Sequence, residues 1–225
     1  MHITFWSDFV CPHSYLGAMR LLKALDSLNI DEPVELEMKS FELDPYAHAD
    51  KRVAFMEDFS RLSSLDDMQT FQQLDEMNDM AQSDGIPFNF MTAVSCSSFD
   101  AHRLFQFAKT QGHADLGFTF MRAMFERNLV LNDPETLVEL ATSEGLDEQE
   151  VRDVLSSRAF EREVRVDETQ AVMNKIDSAP FYVINNTYSM SGAQPYDDVR
   201  FMVAKAYLAS HPDVAVKDLL KKDAS

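Results

Sequence analysis

Cysteine is scarce in this chain: 225 residues hold 2, Cys11 and Cys96, too few for a disulfide scaffold. Basic residues are also few, 20 Lys and Arg against 38 Asp and Glu, for a net charge of −18. Nucleic acid needs clustered cations over its phosphates, and an anionic membrane surface needs the same, so this balance argues against both as partners. The charge serves mainly solubility. No apolar run is long enough to span a bilayer. Met1 leads straight into a strand-like run without a basic, then apolar, leader, so no secretory signal is expected. With 6 glycines there is no phosphate-cradling loop. The six histidines show no metal-ligand spacing with Cys or carboxylates. These absences leave a cytoplasmic chain, without a metal, whose thiols stay reduced.

What is present can fill a core: 45% of residues are hydrophobic, among them 17 Phe and 13 Met. The length suits one domain carrying a sizeable insertion. His2 to Asp8 alternates, with Ile3 and Phe5 on one face, and reads as a strand. A helix follows to about Asn29, with Ala18, Leu21, Leu22, Leu25 and Leu28 on its apolar side. Val34 to Lys39 alternates again. Strand, helix and strand at this spacing make a right-handed βαβ unit.

From about Tyr46 to Lys175 the signals are helical. Phe59, Leu62, Leu65, Met68, Phe71, Leu74, Met77 and Met80 recur every third residue, a spacing that drifts around a helix and cannot form one straight stripe. A break is expected near Ser63-Ser64-Leu65-Asp66, with Asp66 as cap, and Gly85-Ile86-Pro87 ends the second piece. The Met-rich run packs or forms an oligomer interface, which a homodimer could use. Asp100, Asp133 before Pro134, and Asp147 with Glu150 three residues on mark further helix starts. Strand character returns at Phe181 to Ile184. Asn185-Asn186 suits a two-residue turn, Thr187 to Ser191 returns, and Tyr196 to Ala209 is a last helix. From Asp213 the chain reads as a short helix or frayed tail. A βαβ start and a ββα finish join into a four-stranded sheet with helices on both faces. The reading is α/β, thioredoxin-like, from 1–45 and 176–225, with a large all-helical insertion at 46–175.

Cys11-Pro12-His13-Ser14 sits between the first strand and the first helix. A helix N-terminus offers unpaired N–H groups and partial positive charge, which favours a thiolate. Pro12 suits the first helical position, and a protonated His13 would add charge beside the sulfur. Ser14 stands where a dithiol enzyme has its second cysteine, so Cys11 works alone or packs as a small hydrophobe. Cys96 either packs or reaches Cys11 as a distant resolving thiol. His102 and Arg103 either line the cleft, Arg103 binding a carboxylate, or form a helix-face pair. Trp6 and Tyr15 wall the pocket or belong to the core.

Trp6 to Gly17, Ser178 to Ile184, Ser191-Gly192-Ala193-Gln194-Pro195 and Asp100-Ala101-His102-Arg103-Leu104 together resemble the DsbA-like thioredoxin-fold oxidoreductases, in their FrnE-like branch. The resemblance implies that Ala179-Pro180 is a cis-proline step beside Cys11, where a substrate peptide or glutathione pairs. Ser14 departs from the branch's Cys-Pro-x-Cys, and Ser97 stands where the branch has Asn. The implied activity is monothiol disulfide exchange on a protein or small molecule, with no bound cofactor and glutathione as co-substrate. A second reading is a glutathione-dependent isomerase or transferase of the 2-hydroxychromene-2-carboxylate isomerase and kappa-class type, with Ser14 or the Cys11 backbone activating bound glutathione. A third is a thioredoxin-fold binding protein without catalysis.

Overall fold

The computed structural model describes residues 1–220. Its central sheet has four strands: β1 (His2–Ser7), β2 (Glu35–Ser40), β5 (Phe181–Ile184) and β6 (Tyr188–Ser191). They lie in the order β2-β1-β5-β6. β1 runs parallel to β2, with Ile3 opposite Leu36, and antiparallel to β5, with Phe5 opposite Tyr182. The hairpin from β5 to β6 turns on Asn185 and Asn186, both at positive φ, the geometry that makes Asn suitable there.

The side-chain alternation of β1 divides the two faces. Ile3 and Phe5 point into the main core, where the Phe5 ring lies 5.7 Å from Tyr182 and 6.0 Å from Phe118. Trp6 points the other way and packs with Ala171 and Ile176. Its indole N–H donates to the Asp167 carbonyl at 3.1 Å, on α8 (Glu161–Met173).

On the main-core face, α1 (Pro12–Asp26) packs against α9 (Tyr196–Ser210) and α5 (Leu116–Arg127). Two features bring α1 close. Gly17 leaves so little room that a Cβ there would stand 2.3 Å from the Tyr182 hydroxyl and 3.0 Å from Pro180. Arg20, 3% exposed, donates from Nε to Asp84 at 2.6 Å and from Nη1 to the carbonyls of Ala193 and Gln194, both at 3.1 Å. It ties α1 both to the insertion and to the Ser-Gly-Ala-Gln-Pro segment.

The close approach makes a paired prediction. Gly17→Ala should lower stability by about 1–3 kcal/mol, the usual cost of overpacking. The Tyr182 hydroxyl is buried and makes no hydrogen bond, so Tyr182→Phe alone should be nearly neutral. The double variant should recover most of the Gly17→Ala loss in denaturant titrations. A loss equal in the single and the double variant would show that the hydroxyl is not the obstacle.

Between the two halves of the sheet lie α2 (Phe55–Ser63), α3 (Asp67–Ser83), α4 (Phe99–Thr110), α5, α6 (Pro134–Ser143), α7 (Glu148–Leu155) and α8. The break between α2 and α3 falls where the sequence places it. Ser64 is left-handed, and Asp66 and Gln69 form a reciprocal capping box. Thr70, Leu74, Met77 and Ala81 face inward on α3, while Met68 and Met80 lie exposed. Asp133 and Asp147 cap α6 and α7 through the amides of Thr136 and Glu150, each at 3.0 Å. α4 begins at Phe99, with Asp100 in its first turn rather than at the cap.

The insertion is not purely helical. β3 (Arg52–Ala54) and β4 (Val94–Cys96) form a two-stranded antiparallel ribbon, with Arg52 opposite Cys96. Three-residue strands are too short to show an alternating pattern, and they escape a periodicity reading. A final short helix, α10 (Val216–Leu219), closes the described chain, and Leu220 bridges back to Leu28. The rest of the expected tail lies outside the described residues.

Candidate active site

Cys11 is the N-cap of α1, and Pro12 occupies the first helical position. The Ser14 amide donates to the Cys11 sulfur at 3.4 Å, so the thiol caps the helix as an N-cap side chain does. On its other side the thiol donates to the Ala179 carbonyl at 3.7 Å. The Ala179–Pro180 peptide is cis. Sequence-distant halves of the chain thus meet at one sulfur.

That sulfur is not held ionised. Cys11 is 2% exposed, and burial pushes its thiol up to about 11, against the hydrogen bonds from Ser14 and the His13 backbone that favour the anion. The Asp8 carboxylate nearby raises it further. The helix-terminus reading of the sequence expects the reverse. Desolvation outweighs the terminus because the cap residue is almost wholly withdrawn from solvent. Burial likewise lowers His13 from its ordinary value, so its imidazole is neutral at pH 7 and adds no positive charge. Its ring stacks on Phe59 of α2 at 6.2 Å.

Over Cys11 lies a cavity of about 220 Å³. Val10, Pro12, Leu43, Phe55, Phe59 and Leu62 give it apolar walls. Lys51, Asp44, Asp58 and Ser95 make its polar end. There Lys51 donates to Asp58 at 2.8 Å and to Asp44 at 3.2 Å, and the Ser95 hydroxyl donates to Asp58. Burial raises the Asp58 carboxyl, but the hydrogen bonds from Lys51, Ser95 and Arg61 outweigh it and hold the group below the ordinary range. No part of this cluster shows in the sequence as a motif, because its members come from three separate segments. Cys96, at the end of β4, lines the same cavity as Cys11.

Several expected site residues stand elsewhere. The Ser14 side chain is fully buried and accepts the Asp8 amide at 3.3 Å. It does not line the cavity. The Ala179 carbonyl accepts from the Cys11 thiol, but neither Ala179 nor Pro180 lines the cavity. Trp6 does not wall the pocket, since period-two alternation turns it to the opposite face of the sheet. Tyr15 belongs to the core, its ring 5.2 Å from Phe125 and its hydroxyl donating to Glu126 and to the Pro87 carbonyl.

Arg103 binds no incoming carboxylate. It is 3% exposed, pairs with Asp100, and donates Nη1 to the carbonyls of Val154, Ser157 and Ala159. His102 is buried as well and stays out of the cavity. Its ring lies 4.3 Å from that of Phe9, and Nε2 is 3.4 Å from Asp8 Oδ1, with neither ring nitrogen hydrogen-bonded. Asp8 is the member of this pair that reaches the cavity. Its carboxylate accepts the amides of Val10 and Leu43, so it fixes the loop that carries Cys11. Behind His102, burial raises the Glu42 carboxyl to about 7, partly offset by His102 and Arg165.

The comparisons agree with this architecture. The family model for the DSBA-like thioredoxin domain matches residues 2–203. A probable DsbA oxidoreductase from Streptomyces coelicolor is 34% identical, with 92% of this chain and 90% of that one covered and a TM-score of 0.84. A 2-hydroxychromene-2-carboxylate isomerase superposes at a TM-score of 0.70 and 18% identity, covering 96% of this chain and 100% of that one. The cytosolic disulfide reductase DsbM from Pseudomonas aeruginosa superposes at 0.61 and 16%, with 96% and 100% covered. The last two show the fold alone. No curated protein matches. With the thiol at the start of α1, the Ala179–Pro180 step beside it and a model match over most of its length, the chain belongs to the DsbA-like thioredoxin-domain family.

Proposed function

We propose that the protein is a cytoplasmic thiol–disulfide oxidoreductase that attacks small disulfides through Cys11 alone. An external thiol such as glutathione returns the site to its reduced form. The observation that carries this reading is the Cys11 sulfur, 2% exposed, bordering a small, mostly apolar cavity. A small molecule can enter such a space.

The balance of forces favours reduction of substrate. A thiol whose anion is stabilised makes its disulfide oxidising; here burial destabilises the anion, and Cys11 gains by entering a disulfide. The cost is speed. With a thiol at about 11, roughly one chain in ten thousand is thiolate at pH 7. That is about 300-fold less than for an ordinary thiol, of which a Brønsted slope near 0.45 recovers about tenfold. Attack should therefore run some twentyfold slower than on a free cysteine unless the bound substrate brings its own stabilisation.

In the glutathione-transferase reading through Ser14, that hydroxyl would have to face bound thiol, yet it accepts the Asp8 amide and does not line the cavity. That contact favours Cys11 as the reacting group. The decisive experiment follows the adduct on Cys11 with glutathione disulfide by mass spectrometry across pH. Adduct formation should rise about tenfold per pH unit from 7 to 9. A rate flat over that range would mean an ionised thiol and a different reactivity, and a Cys11 left as a free thiol, in neither a mixed nor an internal disulfide, would end the proposal.

A further inference from the structure

The Cys11 cavity holds a second sulfur that the proposed cycle leaves unused. Cys96 ends β4 and is 2% exposed, and its residue lines the cavity together with Cys11. The segments bearing the two thiols are clamped to each other. Phe9, two residues before Cys11, stacks on His102 at 4.3 Å, and His102 Nε2 lies 3.4 Å from Asp8. The His102 amide donates to the Ser98 carbonyl at 2.9 Å, and Ser98, two residues after Cys96, is itself part of the cavity wall. Asp8 acts electrostatically on both thiols, as expected of a shared neighbour. The chain has only these two cysteines, and the fold delivers both to one small space.

We propose that Cys96 is the resolving thiol for Cys11, taking over the role that Ser14 cannot fill. This rests on Cys11 being the attacking group, and it concerns which thiol meets the mixed disulfide first. Cys11, having lost its proton, attacks one sulfur of a substrate disulfide. The substrate S–S bond breaks, and the first half leaves with that proton as a thiol. Cys96, deprotonated in turn, attacks the Cys11 sulfur. The bond from Cys11 to the retained half breaks, a Cys11–Cys96 disulfide forms, and the second half leaves as a thiol with the Cys96 proton. Two electrons pass from the protein thiols to the substrate. An external thiol then reduces the internal disulfide.

Two physical features support the step. Burial pushes both thiols up to about 11, so neither gains from remaining an anion and both gain from a neutral disulfide. A disulfide also needs Cβ atoms about 3.5–4.5 Å apart, so bridging draws β4 onto the start of α1 and removes the space between them. The oxidised site would then be closed to a further substrate until it is reduced.

The test treats the reduced full chain with one equivalent of 2,2′-dithiodipyridine, a small neutral aromatic disulfide suited to an apolar cavity. Thiopyridone release is followed by absorbance, and the product is then peptide-mapped without reduction. Wild type should release both halves of the probe and yield a Cys11–Cys96 peptide pair. Cys96→Ala and Cys96→Ser should release one half and keep the other on Cys11, with a lifetime at least about a hundredfold longer, the advantage of an intramolecular thiol. A thiopyridyl group that persists on Cys11 of wild type as long as on the variants overturns the inference while leaving the Cys11 reading intact. Because that arm uses the unmodified chain, it does not depend on the variants folding. Cys11 recovered as a free thiol in wild type and in the variants overturns both.

Discussion

Cys11→Ala should abolish disulfide exchange, lowering turnover of a small disulfide with glutathione by at least about a hundredfold, because Cys11 is the group that attacks the substrate and carries the covalent intermediate. Ala at an N-cap also gives up the Ser14 amide that the sulfur accepts. A stability cost of roughly 0.5–2 kcal/mol accompanies the change. Cys11→Ser separates the two effects. A hydroxyl restores the cap at the same position, so that variant should melt near wild type yet remain as inactive as Cys11→Ala. Turnover persisting in either variant would place the chemistry elsewhere. Turnover lost in Cys11→Ala but kept in Cys11→Ser would mean the cap, rather than the thiol, is what activity requires.

The largest stability effect should come from Arg103→Ala. The guanidinium sits at the C-terminus of α7, where helix carbonyls lack intrahelical partners and carry partial negative charge. Its Nη1 reaches Val154, Ser157 and Ala159 at 2.8–2.9 Å, and Nη2 reaches Asp100 at 3.0 Å. Truncation strands several of these acceptors at once, at about 3–5 kcal/mol for breaking a buried charged network. Arg103→Lys keeps a charge but loses the planar fork, and should fall between. Chemical denaturation measures the loss, and KM for the small disulfide should stay unchanged in whatever fraction remains folded. A raised KM with unaltered stability would return Arg103 to the substrate.

The fold was legible because its signals are local and periodic. Ile3 and Phe5 alternate, Asn185-Asn186 suits only a tight turn, and Asp66, Asp133 and Asp147 each cap the helix they precede. Cys11-Pro12 marked the site for the same reason. What the sequence did not disclose depends on burial and on contacts across the chain. Nothing local distinguishes a helix N-terminus open to water from one roofed by Phe59 and Leu62, and that difference reverses the direction in which the Cys11 thiol moves. Arg103 follows His102 on a helix that could equally have faced a cleft. Only tertiary packing shows its guanidinium turned into a bouquet of carbonyls. Trp6 was open to correct placement, since its neighbour Phe5 was already assigned to the core face and alternation sends residue 6 to the other.

The order of the sheet has a consequence for biosynthesis. β1 is an interior strand whose neighbours are β2 and β5, so it waits for a strand that follows far later in the chain. At about 5–20 residues per second the wait is on the order of ten seconds. Through that interval a cysteine destined to be buried travels uncovered, with the reactivity of an ordinary thiol. Newly made chains should be far easier to alkylate than finished ones, and the shielding of Cys11 marks the moment β1 and β5 find each other.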